Sequence, residues 1–339
     1  MKMNITIVGA TGAVGIELIK LLGLRKFPLS SLTLLASERS AGRRLDTPVG
    51  KVEIKAFDSK YFENQDIVFF ATSGEHALEY APKAVEAGAV VIDNSSAFRL
   101  DPNVPLVVPE VNPQAVKQHK GIIANPNCST IQMVVALYPL HQYSKIKRII
   151  VSTYQAVSGA GQDAIQELNQ QLHDHIHDKE IKVKAFTKQI AFNVIPHIDV
   201  FQDNGYTKEE MKMVNETWKI FDDSSIKITA NCVRVPVIRA HSEAINIETE
   251  NKITESKARE LLSKVDSIKV VDERVNAGYP TPIDASEKMD TYVGRIREDI
   301  SCDNGLSLWV VADQLWKGAA LNAIQIAELL NTEHFRKNH

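Results

Sequence analysis

The chain has 339 residues, more than one ordinary domain holds and suited to two of roughly 150 each. Its apolar content of 44% and charged content of 24% are those of a soluble globular protein, able to bury cores without disulfides or a structural metal. A net charge of −3 without a long Lys/Arg tract argues against nucleic acid as the main partner, and no run approaches the roughly 18 apolar residues of a membrane span.

Short apolar runs at 5–8, 32–36, 67–71, 90–92, 106–108 and 122–124 read as buried strands, with helix patterns at 14–22 and 76–87 between them. This alternation predicts an α/β fold: a Rossmann-type, doubly wound parallel sheet with helices on its faces. Beyond Cys128 the strand-like runs lengthen, at 146–157, 226–235, 244–248, 292–298 and 306–313. Helix patterns at 163–173, 208–220 and 254–264 interrupt them, which predicts a second, α+β domain on a mixed or antiparallel sheet. The last helix pattern, 317–330, is expected to pack back on the first domain. The expected division is 1–128 plus 318–339 for one domain and 129–317 for the other. Residues 276–282 form the most loop-like segment.

The first strand ends in Gly9-Ala-Thr-Gly12-Ala-Val-Gly15 and a helix pattern follows. Glycines permit a tight turn, and the helix head offers free N–H groups to a pyrophosphate. Its spacing, GxxGxxG, is a variant of the usual dinucleotide fingerprint. The second strand ends in Ser37-Glu-Arg39, where an acid suits the ribose of NAD and an arginine the 2′-phosphate of NADP. Both residue types are present, so position alone leaves the choice open; NADP is favoured, with Ser37 and Arg39 on its phosphate.

Asn125-Pro-Asn-Cys128-Ser-Thr joins a strand to a helix pattern at 131–138. A cysteine there lies near a helix N-terminus, which stabilises thiolate and supplies donors for an oxyanion. A thiolate beside a nicotinamide suggests that an activated acyl group forms a thioester, which hydride then reduces to an aldehyde. Of ten histidines, His241, in Arg239-Ala-His241-Ser-Glu243 ahead of a strand, is the best acid/base candidate. Cys232 and Cys302 lack such a setting and read as structural. Three cysteines far apart argue against a disulfide framework or paired zinc ligands, and the N-terminus lacks a secretory pattern. A cytoplasmic protein with reduced thiols is expected. No metal site is expected either, since His173, His175 and His177 end a helix pattern, where i and i+2 diverge.

With these motifs in view, the chain resembles the aspartate-semialdehyde dehydrogenases over nearly its full length. The likeness rests on Gly9–Gly15, Ser95-Ser-Ala-Phe-Arg99, Asn125–Thr130, Tyr154-Gln155-Ala-Val-Ser158-Gly159-Ala-Gly161, Arg234-Val-Pro-Val237 and His241-Ser-Glu243. It implies that L-aspartyl 4-phosphate and NADPH give L-aspartate 4-semialdehyde, phosphate and NADP, on the way to lysine, diaminopimelate, threonine and methionine. It implies Cys128 as nucleophile, His241 as acid/base, and Gln155 as orienting the substrate or acyl intermediate. Arg234 would hold the substrate α-carboxylate and Glu209 its ammonium group, with Arg99, Lys212 and Asn127 on the phosphate. Glu209 and Lys212, three apart on a helix pattern, share a face; Glu210 is the weaker choice. The implied cofactor contacts are Gly9, Thr11, Gly12, Ala13, Val14, Ser73, Ser158, Gly159 and Gln314, besides Ser37 and Arg39. Members of the family form homodimers or dimer-based homotetramers, mainly through the second, catalytic and dimerisation domain.

The nearest alternative is an N-acetyl-glutamyl-phosphate reductase, whose nucleophile motif usually has glycine before the cysteine and an aromatic after it. Asn127 and Ser129 point away from it. A non-catalytic nucleotide sensor on the same fold would have no need of Cys128, Gln155, Arg234 and His241 together.

Overall fold

The structure, a computed structural model, describes residues 2–332. It divides into two units: the chain up to Asn127 together with the stretch from Ala319 onward, and Cys128–Gly318. The first unit runs β1 (Met3–Val8), α1 (Ala13–Leu24), β2 (Leu29–Ala36), β3 (Arg44–Thr47), β4 (Gly50–Ala56), β5 (Ile67–Phe70), α2 (Gly74–Glu86), β6 (Val90–Asp93) and β7 (Ile122–Ala124). These strands form one sheet in the order β3-β4-β2-β1-β5-β6-β7. All neighbours are parallel except β3 and β4. Ile5, Ile7, Val68, Phe69 and Phe70 are fully buried, as the continuous apolar strands of a sheet covered on both faces must be. Chain order reverses between β1 and β5, so the crevice beyond their carboxyl ends is the switch point where such sheets bind ligands.

Residues 106–108 are not the strand their sequence suggested. Pro105 and Pro109 flank them and donate no ladder hydrogen bonds. Only Leu106 forms a bridge, to Ala124. The Asn112 side chain satisfies the Val108 N–H and the Leu106 carbonyl instead. Conversely, the β3–β4 hairpin went unread because it is polar and largely exposed, with Ile54 its one buried residue.

The second unit runs α3 (Cys128–Tyr143), β8 (Ile146–Gln155), α4 (Gln162–Ile176), α5 (Lys208–Phe221), β9 (Lys227–Arg234), β10 (His241–Thr249), α6 (Glu255–Leu262), β11 (Ile268–Val270), α7 (Pro282–Ala285), β12 (Thr291–Glu298) and β13 (Gly305–Ala312). Its six-stranded sheet has the order β11-β12-β13-β10-β8-β9. The outer pairs β8–β9 and β11–β12 are parallel and the inner three antiparallel, a mixed sheet as expected. Alternate residues His241, Glu243, Ile245 and Ile247 of β10 are buried on one face, which α3 covers. The strand expected to run to 157 stops at Gln155, where the chain tightens into a turn at Val157–Ala160.

Trp316–Ala320 form a single π-turn, and α8 (Leu321–Asn331) follows. Asn322 Nδ2 donates to the Val107 carbonyl and to Asn125 Oδ1, and Glu328 pairs with both Nε and Nη2 of Arg25 on α1. These contacts seat α8 in the first unit.

Gly15 sets the distance between α1 and the turn before it. A Cβ there would lie 2.2 Å from the Gly9 carbonyl oxygen and 2.8 Å from Ala10 Cα, backbone atoms that have nowhere to go. Gly15→Ala is expected to lower stability by about 1–3 kcal/mol in urea unfolding. An unchanged midpoint would mean that the turn opens without cost.

Candidate active site

In the first unit β1 ends at Gly9, with φ at +88°, where an added Cβ would meet the Ala71 carbonyl at 2.3 Å. Only glycine lets this turn lie against the end of β5. Thr11 follows in the turn, and Gly12 bonds back to the Gly9 carbonyl at 3.0 Å. Gly12 is also the N-cap of α1, and no side chain caps that helix or places an acid in its first turn. The N–H groups of Ala13 and Val14 therefore head a helix whose positive end is uncompensated, the setting that suits a pyrophosphate. The Leu35 carbonyl of β2 accepts the Gly9 and Ala10 N–H groups, at 2.9 and 3.1 Å, which brings the end of β2 beside this turn. Ser37 and Arg39 stand there, exposed, with Glu38 between them. Ser73 caps α2 after β5, accepting the His76 N–H at 3.4 Å. Arg99 is buried across the ends of β6 and β7, donating to the carbonyls of Asn94 (3.0 Å) and Asn125 (2.9 Å). Asn127, also buried, closes this unit.

In the second unit three strand ends coincide. Gln155, last in β8, pairs with Arg234, last in the parallel β9. The antiparallel β10 opens at His241, one residue beyond the Ser242–Tyr154 pair. Cys128 heads α3 and is half-buried. It lies close enough to Arg234 for a thiolate to act on the guanidinium. Gly318 packs on it, since a Cβ there would lie 2.8 Å from Cys128 Cβ.

His241 is 0% exposed, and its Nδ1 accepts the Ala156 N–H at 3.0 Å. That bond places the proton of the neutral imidazole on Nε2. Burial, and then the Arg234 charge, hold this histidine well below its ordinary pKa. Gln155 Nε2 stands 3.5 Å from His241 Nε2, donor facing donor, which leaves the imidazole proton for another acceptor. The Gln155 amide is set by Thr153, whose hydroxyl donates to Oε1 at 3.0 Å, and by Glu209, which accepts from Nε2 at 3.2 Å. Arg234 Nη1 donates to the Ala156 carbonyl at 2.7 Å. Burial pulls its pKa down against the opposing charge of Glu209.

Helix α5 separates the two glutamates of its first turn. Glu210 is the N3 residue of a capping box, and its oxygens accept the N–H groups of Thr207 (2.7 Å) and Cys232 (3.0 Å). Glu209 reaches Gln155 with one oxygen and Lys212 Nζ (3.0 Å) with the other. Lys212 also meets Asp199 at 2.8 Å. Burial works against its charge, but Glu209 and Asp199 raise its pKa overall. Asp199 was missed in the sequence because a loop residue 13 positions away carries no helical spacing signal. Thr153, one side of a strand, gave no signal either.

Ser158 and Gly159 lie in the turn after β8. A Cβ at Gly159 would come within 3.0 Å of Arg234 Nη1 and 3.2 Å of His241 Nε2, so glycine leaves room for both. Gln314 donates from Nε2 to Ser158 Oγ and accepts the Ala240 N–H at 2.7 Å. Cys232 is buried, which pushes its thiol far up, in keeping with a structural residue. His173 and His177 stack at 4.2 Å while His175 packs on Phe192. Among the described residues no group of three metal-ligating side chains converges. The structure thus brings together Cys128, Gln155, Glu209, Lys212, Arg234 and His241 in one unit, and places the glycine turn, Ser37, Arg39, Ser73, Arg99 and Asn127 in the other.

A glycine-turn nucleotide sheet, followed by a unit with a thiol and an imidazole at the ends of its elements, defines a nicotinamide-dependent dehydrogenase. Family descriptions place it further: "Semialdehyde dehydrogenase, NAD binding domain" matches residues 4–119 and "Semialdehyde dehydrogenase, dimerisation domain" matches 137–317. An aspartate-semialdehyde dehydrogenase from Aquifex aeolicus is 53% identical over 337 residues, 98% of this chain and 99% of the relative. The crystal structure of aspartate semialdehyde dehydrogenase II from Vibrio cholerae complexed with ASA is 48% identical, with a TM-score of 0.96 over 99% of this chain and all of that one. The Candida albicans enzyme, solved with NADP, is 26% identical, with a TM-score of 0.76 over 99% of this chain and 100% of that chain. The chain belongs to the aspartate-semialdehyde dehydrogenase family. These matches do not favour the N-acetyl-glutamyl-phosphate reductase alternative.

One buried acid stands apart from these contacts. Glu243, two residues beyond His241, is 0% exposed, and neither of its oxygens has a hydrogen-bond partner among the described residues. Burial pushes its carboxyl well above the usual range, against the smaller opposing effect of the Gln132 amide. An unfolded glutamate ionises above about pH 4.3 while the native one keeps its proton, so the native state loses stability as pH rises. Glu243→Gln removes this difference. Its stability advantage over the parent is expected to widen from pH 5 to pH 8 in urea unfolding; an advantage that stays constant would show the acid titrating alike in both states.

Proposed function

We propose that this chain catalyses the NADPH-dependent reductive dephosphorylation of L-aspartyl 4-phosphate to L-aspartate 4-semialdehyde, through a thioester on Cys128, as a step toward lysine, diaminopimelate, threonine and methionine. The observation that carries the reading is a thiol at the head of α3 beside Arg234, whose charge also acts on the neutral His241. The Cys128 thiolate, favoured at the helix head, attacks the acyl carbon, and the leading N–H groups of α3 receive the developing oxyanion. Phosphate leaves with the bonding electron pair, and the acyl group stays on sulfur. His241, the acid/base of the site, steadies the oxygen of the reduced tetrahedral adduct through its Nε2–H, and the aldehyde separates as the carbon–sulfur bond breaks and returns the thiolate. Arg234 takes the α-carboxylate with its planar fork, Glu209 the ammonium group, and Gln155, itself oriented by Thr153 and Glu209, the acyl group. Arg99, Lys212 and Asn127 take the phosphate.

The uncapped head of α1 behind Gly9 and Gly12 suits the pyrophosphate of NADP, and Ser37 with Arg39 suit its 2′-phosphate. Thr11, Ala13, Val14 and Ser73 in the first unit, and Ser158, Gly159 and Gln314 in the second, complete the cofactor set. When bound, the nicotinamide supplies the hydride that reduces the thioester.

Assembly is proposed as a homodimer, or a dimer-based homotetramer, through the outer face of the six-stranded sheet. Tyr154 and Trp309 pack there with tilted rings 5.5 Å apart, beside a groove of about 310 Å³ lined by Ala244, Tyr279, Arg295 and Arg297. No described helix is long and apolar enough to cross a membrane. The cytoplasm is the proposed compartment, since Cys128, Cys232 and Cys302 are all free thiols.

The reverse reaction tests the assignment. Aspartate semialdehyde and phosphate should drive reduction of NADP by the purified protein, faster than reduction of NAD. Cys128→Ser should lower turnover by at least about 10³-fold. Arg39→Ala should raise KM for NADP about 10-fold or more and leave that for NAD unchanged. No nucleotide reduction by the parent would defeat the substrate assignment; equal effects of Arg39→Ala on both nucleotides would defeat its phosphate role.

A further inference from the structure

We propose that Gln314 is a positioning residue, which sets the His241 imidazole by clasping the preceding residue, Ala240, in a left-handed backbone turn. This rests on the function proposed above and adds a residue to its machinery. Ala240 is buried, and its φ of +71° is one that side chains with a Cβ rarely adopt. Such a conformation persists only where its surroundings hold it.

The β10–β13 ladder begins at the pair His241–Ala312, so Ala240 and Asp313 lie just outside it. Side chains take over where the ladder stops. Gln314 Oε1 accepts the Ala240 N–H at 2.7 Å, and Asp313 Oδ2 accepts from Arg239 Nε at 2.6 Å. Asp313 is itself fixed, its other oxygen accepting the N–H groups of Leu315 and Trp316. The second end of the Gln314 amide donates to Ser158 Oγ. That serine belongs to the turn whose N–H groups at Val157 and Ser158 bond the carbonyls of Val237 and Ile238. Gln314 therefore ties both walls around the imidazole: the turn after β8, which supplies the Ala156 N–H to Nδ1, and the entry to β10, which carries the ring. Were Ala240 to relax to negative φ, the His241 Cα–Cβ bond would swing, and Nδ1 would leave the N–H that dictates its tautomer.

As a cofactor ligand alone, Gln314 would behave differently. Gln314→Met keeps the length of the side chain and removes both hydrogen bonds. The clasp predicts a fall in kcat on the order of 10- to 100-fold, whereas loss of a cofactor contact alone would raise KM for NADP and leave kcat near that of the parent. It further predicts that adding Ala240→Gly restores most of the lost kcat, because glycine holds a positive φ without support. Nitrogen NMR of His241, without any nucleotide, should show the Nε2–H tautomer in the parent, its loss in Gln314→Met and its return in the double variant. A raised KM for NADP with no rescue by Ala240→Gly would overturn the proposal, as would an unchanged tautomer in Gln314→Met. If Gln314→Met does not fold, the double variant should fold and show the parental tautomer; failure of that also overturns it. An inactive parent would sink the proposed reaction, while the tautomer series would still decide the clasp.

Discussion

The second unit's site depends on β8 having a parallel neighbour on one side and an antiparallel neighbour on the other. Parallel pairing with β9 puts the last residues of both strands together, Gln155 and Arg234. Antiparallel pairing with β10 puts the first residue of that strand, His241, at the same edge. Backbone pairing thus brings three side chains of different chemistry to one place, where their own hydrogen bonds then orient them. Shifting any one strand by a residue would turn its side chain to the opposite face.

Burial then decides the charge states at that edge. His241 is kept neutral by desolvation and by the nearby guanidinium. Burial opposes the charge of Lys212, and the two carboxylates facing it more than offset that, raising its pKa. Arg234 keeps company with Glu209 and with the Cys128 sulfur. Neutral and charged groups therefore coexist a few ångströms apart. In the first unit the corresponding charge is carried by backbone, the uncapped N–H groups of α1.

The two glutamates in the first turn of α5 show how neighbouring residues of one type acquire different contacts. Glu210 stands third after Thr207, so the helix start itself consumes its carboxylate. Glu209, one position earlier, is rotated about 100° around the axis and faces Gln155 and Lys212. The Thr207-x-x-Glu210 spacing of that capping box is visible in the sequence itself.

What the sequence determined by itself was local: apolar runs short enough for strands, glycines at a strand–helix turn, a cysteine at a helix head, and hence a nucleotide sheet joined to an acyl-transfer unit. Each depends on spacing of a few residues, which strand and helix periods make readable. Tertiary structure alone decided which strands are neighbours, and with that the meeting of Gln155, Arg234 and His241. It also decided the partners that lie far away in the chain, Asp199 for Lys212, the Ala156 N–H for the imidazole and Gln314 for Ala240. It removed the strand expected at 106–108, because pairing there is broken by prolines and completed by a side chain. Contacts of that kind are fixed by packing and register, which no local pattern encodes.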